Sequence, residues 1–191
     1  MKPTIRLAAL LVALAPFLQS CIPLLVGAGV GTGFMMAEDR RTSATMLEDQ
    51  TIEIKAKNRL SEKHGEQVNI SVISFNRYVL LTGQATTDEI KQDVSVLVLE
   101  VPNVRNVQNE IVVGGVSSTT SHASDALLTS QVKGRLSQNK DVGGSHVKVI
   151  SENGTVFLMG LVTRAEAEAA SQTAATTSGA QRVVKVFEYL D

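Results

Sequence analysis

Val147-Lys-Val-Ile-Ser-Glu-Asn-Gly-Thr-Val-Phe-Leu-Met-Gly160 decides the fold of this chain. Two runs of alternating apolar residues flank Asn153-Gly154, the dipeptide that best tolerates the positive φ angles of a type I′ turn. The stretch reads as a β-hairpin. Upstream, Ile70-Ser-Val-Ile-Ser-Phe-Asn-Arg-Tyr-Val-Leu-Leu-Thr-Gly83 repeats it, with Ile70, Val72, Ser74, Asn76, Val79, Leu81 and Gly83 falling on Val147, Val149, Ser151, Asn153, Val156, Leu158 and Gly160 at one constant offset. The chain contains one unit twice.

Ahead of each hairpin, Asp49-Gln-Thr-Ile-Glu-Ile-Lys-Ala-Lys-Asn-Arg-Leu-Ser61 aligns with Asp125-Ala-Leu-Leu-Thr-Ser-Gln-Val-Lys-Gly-Arg-Leu-Ser137. Ile52, Ala56, Leu60 and Leu128, Val132, Leu136 form an apolar stripe in each run, the mark of an amphipathic helix, with its N-cap expected at or just before the Asp. After each hairpin, Thr86-Thr-Asp-Glu89 and Thr163-Arg-Ala-Glu166 offer a Thr cap with Glu three residues on. These second helices are expected to run to about Val101 and about Ser178, stopped by Pro102-Asn103 and by Gly179.

Closing strands follow over Val104–Val113 and Ala180–Tyr189, where alternation implies a sheet with one face covered and one wet. The order in each copy is αββαβ. The expected class is α+β: two tandem domains, each a small three-stranded sheet with two helices on one face. The boundaries read as 47–114 and 124–191, joined by a flexible Gly/Ser/Thr linker over 115–123. Gly83 and Gly160 end their strands in matching places and are expected to be structural, serving backbone freedom or close packing.

Composition removes several classes of function. Cys21 is the one cysteine, so no disulfide framework and no cluster of Cys metal ligands is available. His64, His122 and His146 stand singly among polar residues and read as solvated surface side chains, with no metal site. No basic excess exists, and Trp is absent, which speaks against nucleic acid as a partner. No G-x-S-x-G elbow, Ser-His-Asp set or paired carboxylates can be assembled, so no catalytic residues are assigned, and neither an enzyme nor a cofactor is expected.

The amino terminus carries Lys2 and Arg6, then an apolar core over Leu7–Leu18, then Leu18-Gln-Ser-Cys21. Residues 1–20 read as an export signal, and 21–46 as a membrane-proximal linker that includes an apolar, glycine-rich tract over 22–37. Those glycines miss the G-x-G-x-x-G register and follow no strand. Retention of Leu7–Ala37 as an uncleaved anchor is the competing reading, opposed by Pro16, Pro23 and the glycines.

Two resemblances now have their residues. Leu18-Gln-Ser-Cys21 resembles the lipobox of bacterial lipoproteins, which implies acylation of Cys21 and anchoring in the inner leaflet of the outer membrane. Ile22, where Asp would resemble an inner-membrane retention signal, points the same way. The Asn-Gly hairpin, the strand ending in Gly160, the Thr-x-x-Glu helix start and the Val-x-x-Val closing strand resemble the BON domain. Copy one departs from the pattern with Asn76-Arg77 at its turn, and copy two with Ser178-Gly-Ala180.

Lipobox and paired domains together resemble the dual BON-domain outer-membrane lipoproteins of Gram-negative envelopes, among them proteins associated with division and outer-membrane stress. The resemblance implies a non-enzymatic protein on the periplasmic face. It implies binding of an anionic, phosphatidylglycerol-like phospholipid and support of envelope integrity near the division site. The alternative is an envelope scaffold whose sheet edges or helix faces recruit an assembly or peptidoglycan-remodelling partner.

The residues themselves favour copy two as the lipid-binding copy. Opposite its buried stripe stands Leu127, where copy one has Thr51, with Lys133, Arg135 and Lys140 close by. Residues 47–115 carry 7 basic and 10 acidic side chains, while 124–191 carry 7 and 7. An apolar tip among acyl chains with cations at headgroup level is how a peripheral domain reads anionic lipid. Lys57 and Arg59 match Lys133 and Arg135, so the basic pair alone does not separate the copies.

Overall fold

A computed structural model of the chain describes residues 39–114, 122–143 and 146–191. The export signal, Cys21, the glycine-rich tract and most of the linker between the copies lie outside these residues.

Each copy folds as helix, hairpin, helix and closing strand. Domain 1 comprises α1 (Ser43–His64), β1 (Val68–Phe75), β2 (Tyr78–Ala85), α2 (Asp88–Leu99) and a closing strand in two pieces, β3 (Asn106–Asn109) and β4 (Val112–Val113). Domain 2 comprises α3 (His122–Gln138), β5 (Val147–Glu152), β6 (Thr155–Val162), α4 (Arg164–Ala175) and β7 (Arg182–Tyr189). In both sheets the second hairpin strand is central: β2 pairs antiparallel with β1 and parallel with β3 and β4, and β6 does the same between β5 and β7. The α+β class with two small sheets follows.

The two hairpin turns share a conformation despite different residues. Asn153 and Gly154 have φ of 48° and 72°, and Asn76 and Arg77 have 52° and 65°. A type I′ turn requires both central residues in the left-handed region. Arg77 therefore occupies a conformation normally left to Gly, and the departure noted at Asn76-Arg77 is one of sequence alone.

Several helix limits differ from expectation. The first helix begins at Ser43, with Thr42 as its cap, so Asp49 lies inside the helix and caps nothing. In copy two the helix starts at His122, which takes His122 and Ala123 from the linker and leaves Asp125 in the first turn. Thr87, not Thr86, caps α2 by accepting from the Ile90 N–H, whereas Thr163 and Glu166 complete a capping box on α4. α2 and α4 end at Leu99 and Ala175, two or three residues short of the expected stops.

Helix stripes and strand alternation build one core per domain. Ile52, Ala56 and Leu60 of α1 pack with Val72, Val79, Leu81, Val94 and Val98; Leu128, Val132 and Leu136 of α3 pack with Val149, Val156, Leu158 and the alanines of α4. A third cluster corrects the expectation of one wet sheet face. Phe75, Leu80, Phe157, Met159, Leu161 and Val186 pack together, so the helix-free faces of the two sheets cover each other. That is why β6 is buried at seven of its eight positions, on both faces.

Polar pairs rim this shared layer. Arg105 meets Glu188, Arg182 meets Glu110, the Asn76 amide donates to Glu188, and the Thr82 hydroxyl donates to Glu152. Lys148 of β5 crosses to the Ser74 carbonyl and to Glu53. Burial lowers the Lys148 pKa below the ordinary lysine value, and Glu53 works against that shift.

Candidate functional site: the first helix of domain 2 and its surroundings

Each first helix is fastened to its own hairpin by a buried aspartate. Asp49 is 3% exposed and accepts from the Ser74 hydroxyl at 2.7 Å, from the backbone N–H groups of Asn76 and Arg77 at 2.8 and 2.7 Å, and from Arg41 at 2.9 Å. Asp125 accepts from the Asn153 and Gly154 N–H groups at 2.9 and 3.0 Å. Left-handed turn residues point their N–H groups to one side, and a carboxylate satisfies both at once. This clamp fixes the register of α3 over its hairpin and hence which face of α3 looks outward.

On that face Leu127 is 60% exposed. It borders a cavity of about 560 Å³ between α3, the Asn153-Gly154 turn and Ser178-Gly179. At about 100° per residue, Leu127 stands roughly 120° from Lys133 on one side and roughly 80° from Arg135 on the other. Lys133 and Lys140 are exposed, and neither is in a salt bridge among the described residues.

Arg135 is engaged elsewhere. Its guanidinium donates to the Thr173 carbonyl and the Thr177 hydroxyl at 3.1 and 2.8 Å, and to the Thr176 hydroxyl at 2.9 Å. A cation there closes the last turn of α4, where carbonyls lack helical partners and the helix dipole is negative. The four sequence candidates therefore separate into an exposed Leu127 with two unpaired lysines and an Arg135 that holds α3 to α4.

Gly83 and Gly160 sit opposite the backbone of their edge strands. A Cβ on Gly83 would strike the Asn69 carbonyl, and one on Gly160 the His146 carbonyl; Gly83 also has φ of 108°.

Sequence reading missed a second cluster, at the start of α4. Arg40, within the stretch assigned as linker, makes a two-pronged pair with Glu166 at 2.8 and 2.9 Å and donates to the Leu161 carbonyl at 2.8 Å. Glu166 also accepts from His146 Nδ1 at 3.1 Å and from the Thr163 N–H. Hydrogen bonding to Arg40, chiefly, lowers its pKa from 4.5 to about 2. Residues just ahead of domain 1 are thus strapped onto domain 2.

His64 and His146 differ from expectation as well, while the side chain of His122 lies outside what the structure describes. His146 is 12% exposed against Glu166, and His64 is 9% exposed, with Nε2 2.7 Å from Asp93. Both are largely enclosed structural partners instead of solvated side chains, His64 at the end of α1 against Asp93 of α2 and His146 just ahead of β5 against Glu166 of α4. No group of metal-ligating side chains occurs among the described residues. No described helix is long and apolar enough to cross a membrane.

The duplicated αββαβ unit fits a pair of BON domains, and the family comparison agrees: the BON domain matches residues 48–115 and 124–191. The chain belongs to the dual BON-domain outer-membrane lipoproteins. It is 38% identical to the outer membrane lipoprotein DolP of Haemophilus influenzae, in an alignment spanning 100% of this chain and 99% of that protein. It is 33% identical to the 21 kDa hemolysin of Actinobacillus pleuropneumoniae over 80% of this chain and 79% of that one. Among solved structures, the C-terminal domain of the type III secretion protein CdsD of Chlamydia trachomatis is matched at 17% identity over 75% of this chain and 67% of that one, with a TM-score of 0.30, and nothing further rests on it.

Proposed function

We propose that this outer-membrane lipoprotein is a non-enzymatic phospholipid-binding protein whose second domain reads anionic headgroups in the inner leaflet. Cys21 is its anchor: acylation there would hold the chain on the periplasmic face, since each buried methylene contributes about 0.8 kcal/mol. The observation that carries the reading is Leu127, a large apolar side chain 60% exposed on α3, with Lys133 on the same helix and Lys140 just beyond it, neither paired among the described residues. Inserted Leu127 would gain acyl contacts while the lysines meet phosphates. Arg135 contributes by holding α3 in place. Support of envelope integrity near the division site is the role this binding would serve.

Residues 35–191 should sediment with vesicles containing phosphatidylglycerol and stay in solution with neutral ones. Leu127→Ser combined with Lys133→Gln should reduce the bound fraction at least tenfold. Equal sedimentation with both vesicle types would remove the reading.

One observation favours a second reading, an envelope interaction scaffold. Leu47 and Ile54, two turns apart on α1, are 65% and 61% exposed and form an apolar stripe on domain 1. Loss of function in a Leu47→Ser, Ile54→Ser variant with unaltered vesicle sedimentation would select it.

A further inference from the structure

The two hairpin clamps differ in how completely they are filled. A carboxylate offers about four lone-pair directions. Asp49 uses four, whereas among the described residues Asp125 receives only the Asn153 and Gly154 N–H groups. Both missing donors can be named. One is the hydroxyl corresponding to Ser74, on Ser151, which is buried without a partner. The other is the counterpart of Arg41, and residues 115–124 contain neither Arg nor Lys.

Among the described residues, nothing in domain 2 fills the space those groups fill in domain 1. Glu53, which accepts the Ser74 N–H at 2.9 Å, corresponds to the shorter Thr129. A cavity of about 520 Å³ lies there between α3 and the edge strand β5, lined by Asp125, Ala126, Thr129, Lys133, Val149 and Ser151. It occupies the flank of α3 away from Leu127 and Gln131, which border the other cavity.

We propose that this cavity is a docking site for an arginine-bearing segment of a partner protein. A guanidinium has rigid, forked donors that can serve the remaining lone pairs of the two Asp125 oxygens and the Ser151 hydroxyl together. Domain 1 shows the occupied form: Arg41 bonds Asp49, stacks on the Phe75 ring with its guanidinium 3.8 Å from the centroid, and is braced by Asp39. Lys133 lies two turns further along the helix, about 12 Å away, and selects a segment that also carries an acidic side chain at that reach. A phosphate at Ser151 would face the Asp125 carboxylate, so charge favours the peptide over a lipid headgroup.

The test uses Met35–Asp191, a compact unit by itself. Isotope-labelled protein would be titrated with the peptide Ala-Glu-Asp-Arg-Arg-Thr-Ser, the sequence of residues 37–43. Saturating amide shifts at Thr129 and Ser151 are expected, at least tenfold weaker when citrulline replaces both arginines. Ser151→Ala should weaken binding at least threefold without lowering the unfolding midpoint, because the hydroxyl removed has no partner. Equal binding of the citrulline peptide, or no shift at these amides, would overturn the proposal. So would the same shifts from phosphatidylglycerol vesicles alone, which would make a headgroup the occupant, or from raised protein concentration alone, which would make it a second copy.

Discussion

At the scale of single residues, Asp49 and Asp125 separate what a sequence can say from what only a structure shows. Their recurrence at one offset marks them as equivalent, yet Asp near a helix start is ordinarily a cap, and nothing local reveals that its partners lie 25 to 29 residues away in the hairpin. Replacing Asp49 by Ala leaves the Ser74 hydroxyl and two turn N–H groups without their acceptor and Arg41 with Asp39 alone, and should cost about 3 kcal/mol. Asp125→Ala loses fewer donors and should cost about 2 kcal/mol. Urea unfolding of both variants checks the order.

Gly83 and Gly160 were legible as a matched pair, but each lies two residues inside its strand instead of ending it, and the carbonyl each one faces was not legible. Gly83→Ala and Gly160→Ala should each cost roughly 1 to 3 kcal/mol by overpacking. The larger loss is expected at Gly83, where the backbone conformation is unfavourable to Ala as well; circular dichroism melts would rank them.

At the scale of elements, periodicity located the four α-helices and both hairpins of the described residues, and failed where contacts from distant segments set the limits. α1 extends back to Ser43 because Thr42 accepts from the Thr45 N–H, and because Arg41 ties the preceding turn to Asp49. The Arg40 strap was invisible to pattern reading, since its partners are over 120 residues away.

That strap makes stability depend on acid. Glu166 titrates near 4.5 when unfolded and at about 2 when folded, so its contribution is fully present above pH 4.5 and is lost as pH falls toward 2. The whole shift would correspond to roughly 3 kcal/mol, and solvent access to Arg40 reduces this to roughly 1 kcal/mol. Arg40→Ala should lower the melting temperature at pH 7 and flatten its decline between pH 4.5 and 2. An unchanged acid profile in the variant would show that Glu166 is held by other groups.

For the whole molecule, the consequential feature is the layer between the sheets. Alternation of apolar and polar residues suggests one wet face when a domain is read alone, but the odd-numbered residues Phe157, Met159 and Leu161 of β6 need a cover, and the first copy supplies it with Phe75 and Leu80. Each such side chain is worth roughly 1.5–3 kcal/mol when fully buried. Domain 2 expressed alone should therefore bind a hydrophobic dye and self-associate, and Phe157→Ser with Met159→Ser should suppress both. Lipid binding is accordingly better assigned by substitutions within the intact pair than by separating the copies.

The chain contains no tryptophan, which gives the central claim a clean reporter. In Leu127→Trp the single indole would sit at the proposed point of insertion, so its emission should move to shorter wavelength with phosphatidylglycerol vesicles and stay put with neutral ones. Emission unchanged by anionic vesicles at saturating lipid would contradict a membrane-facing role for α3.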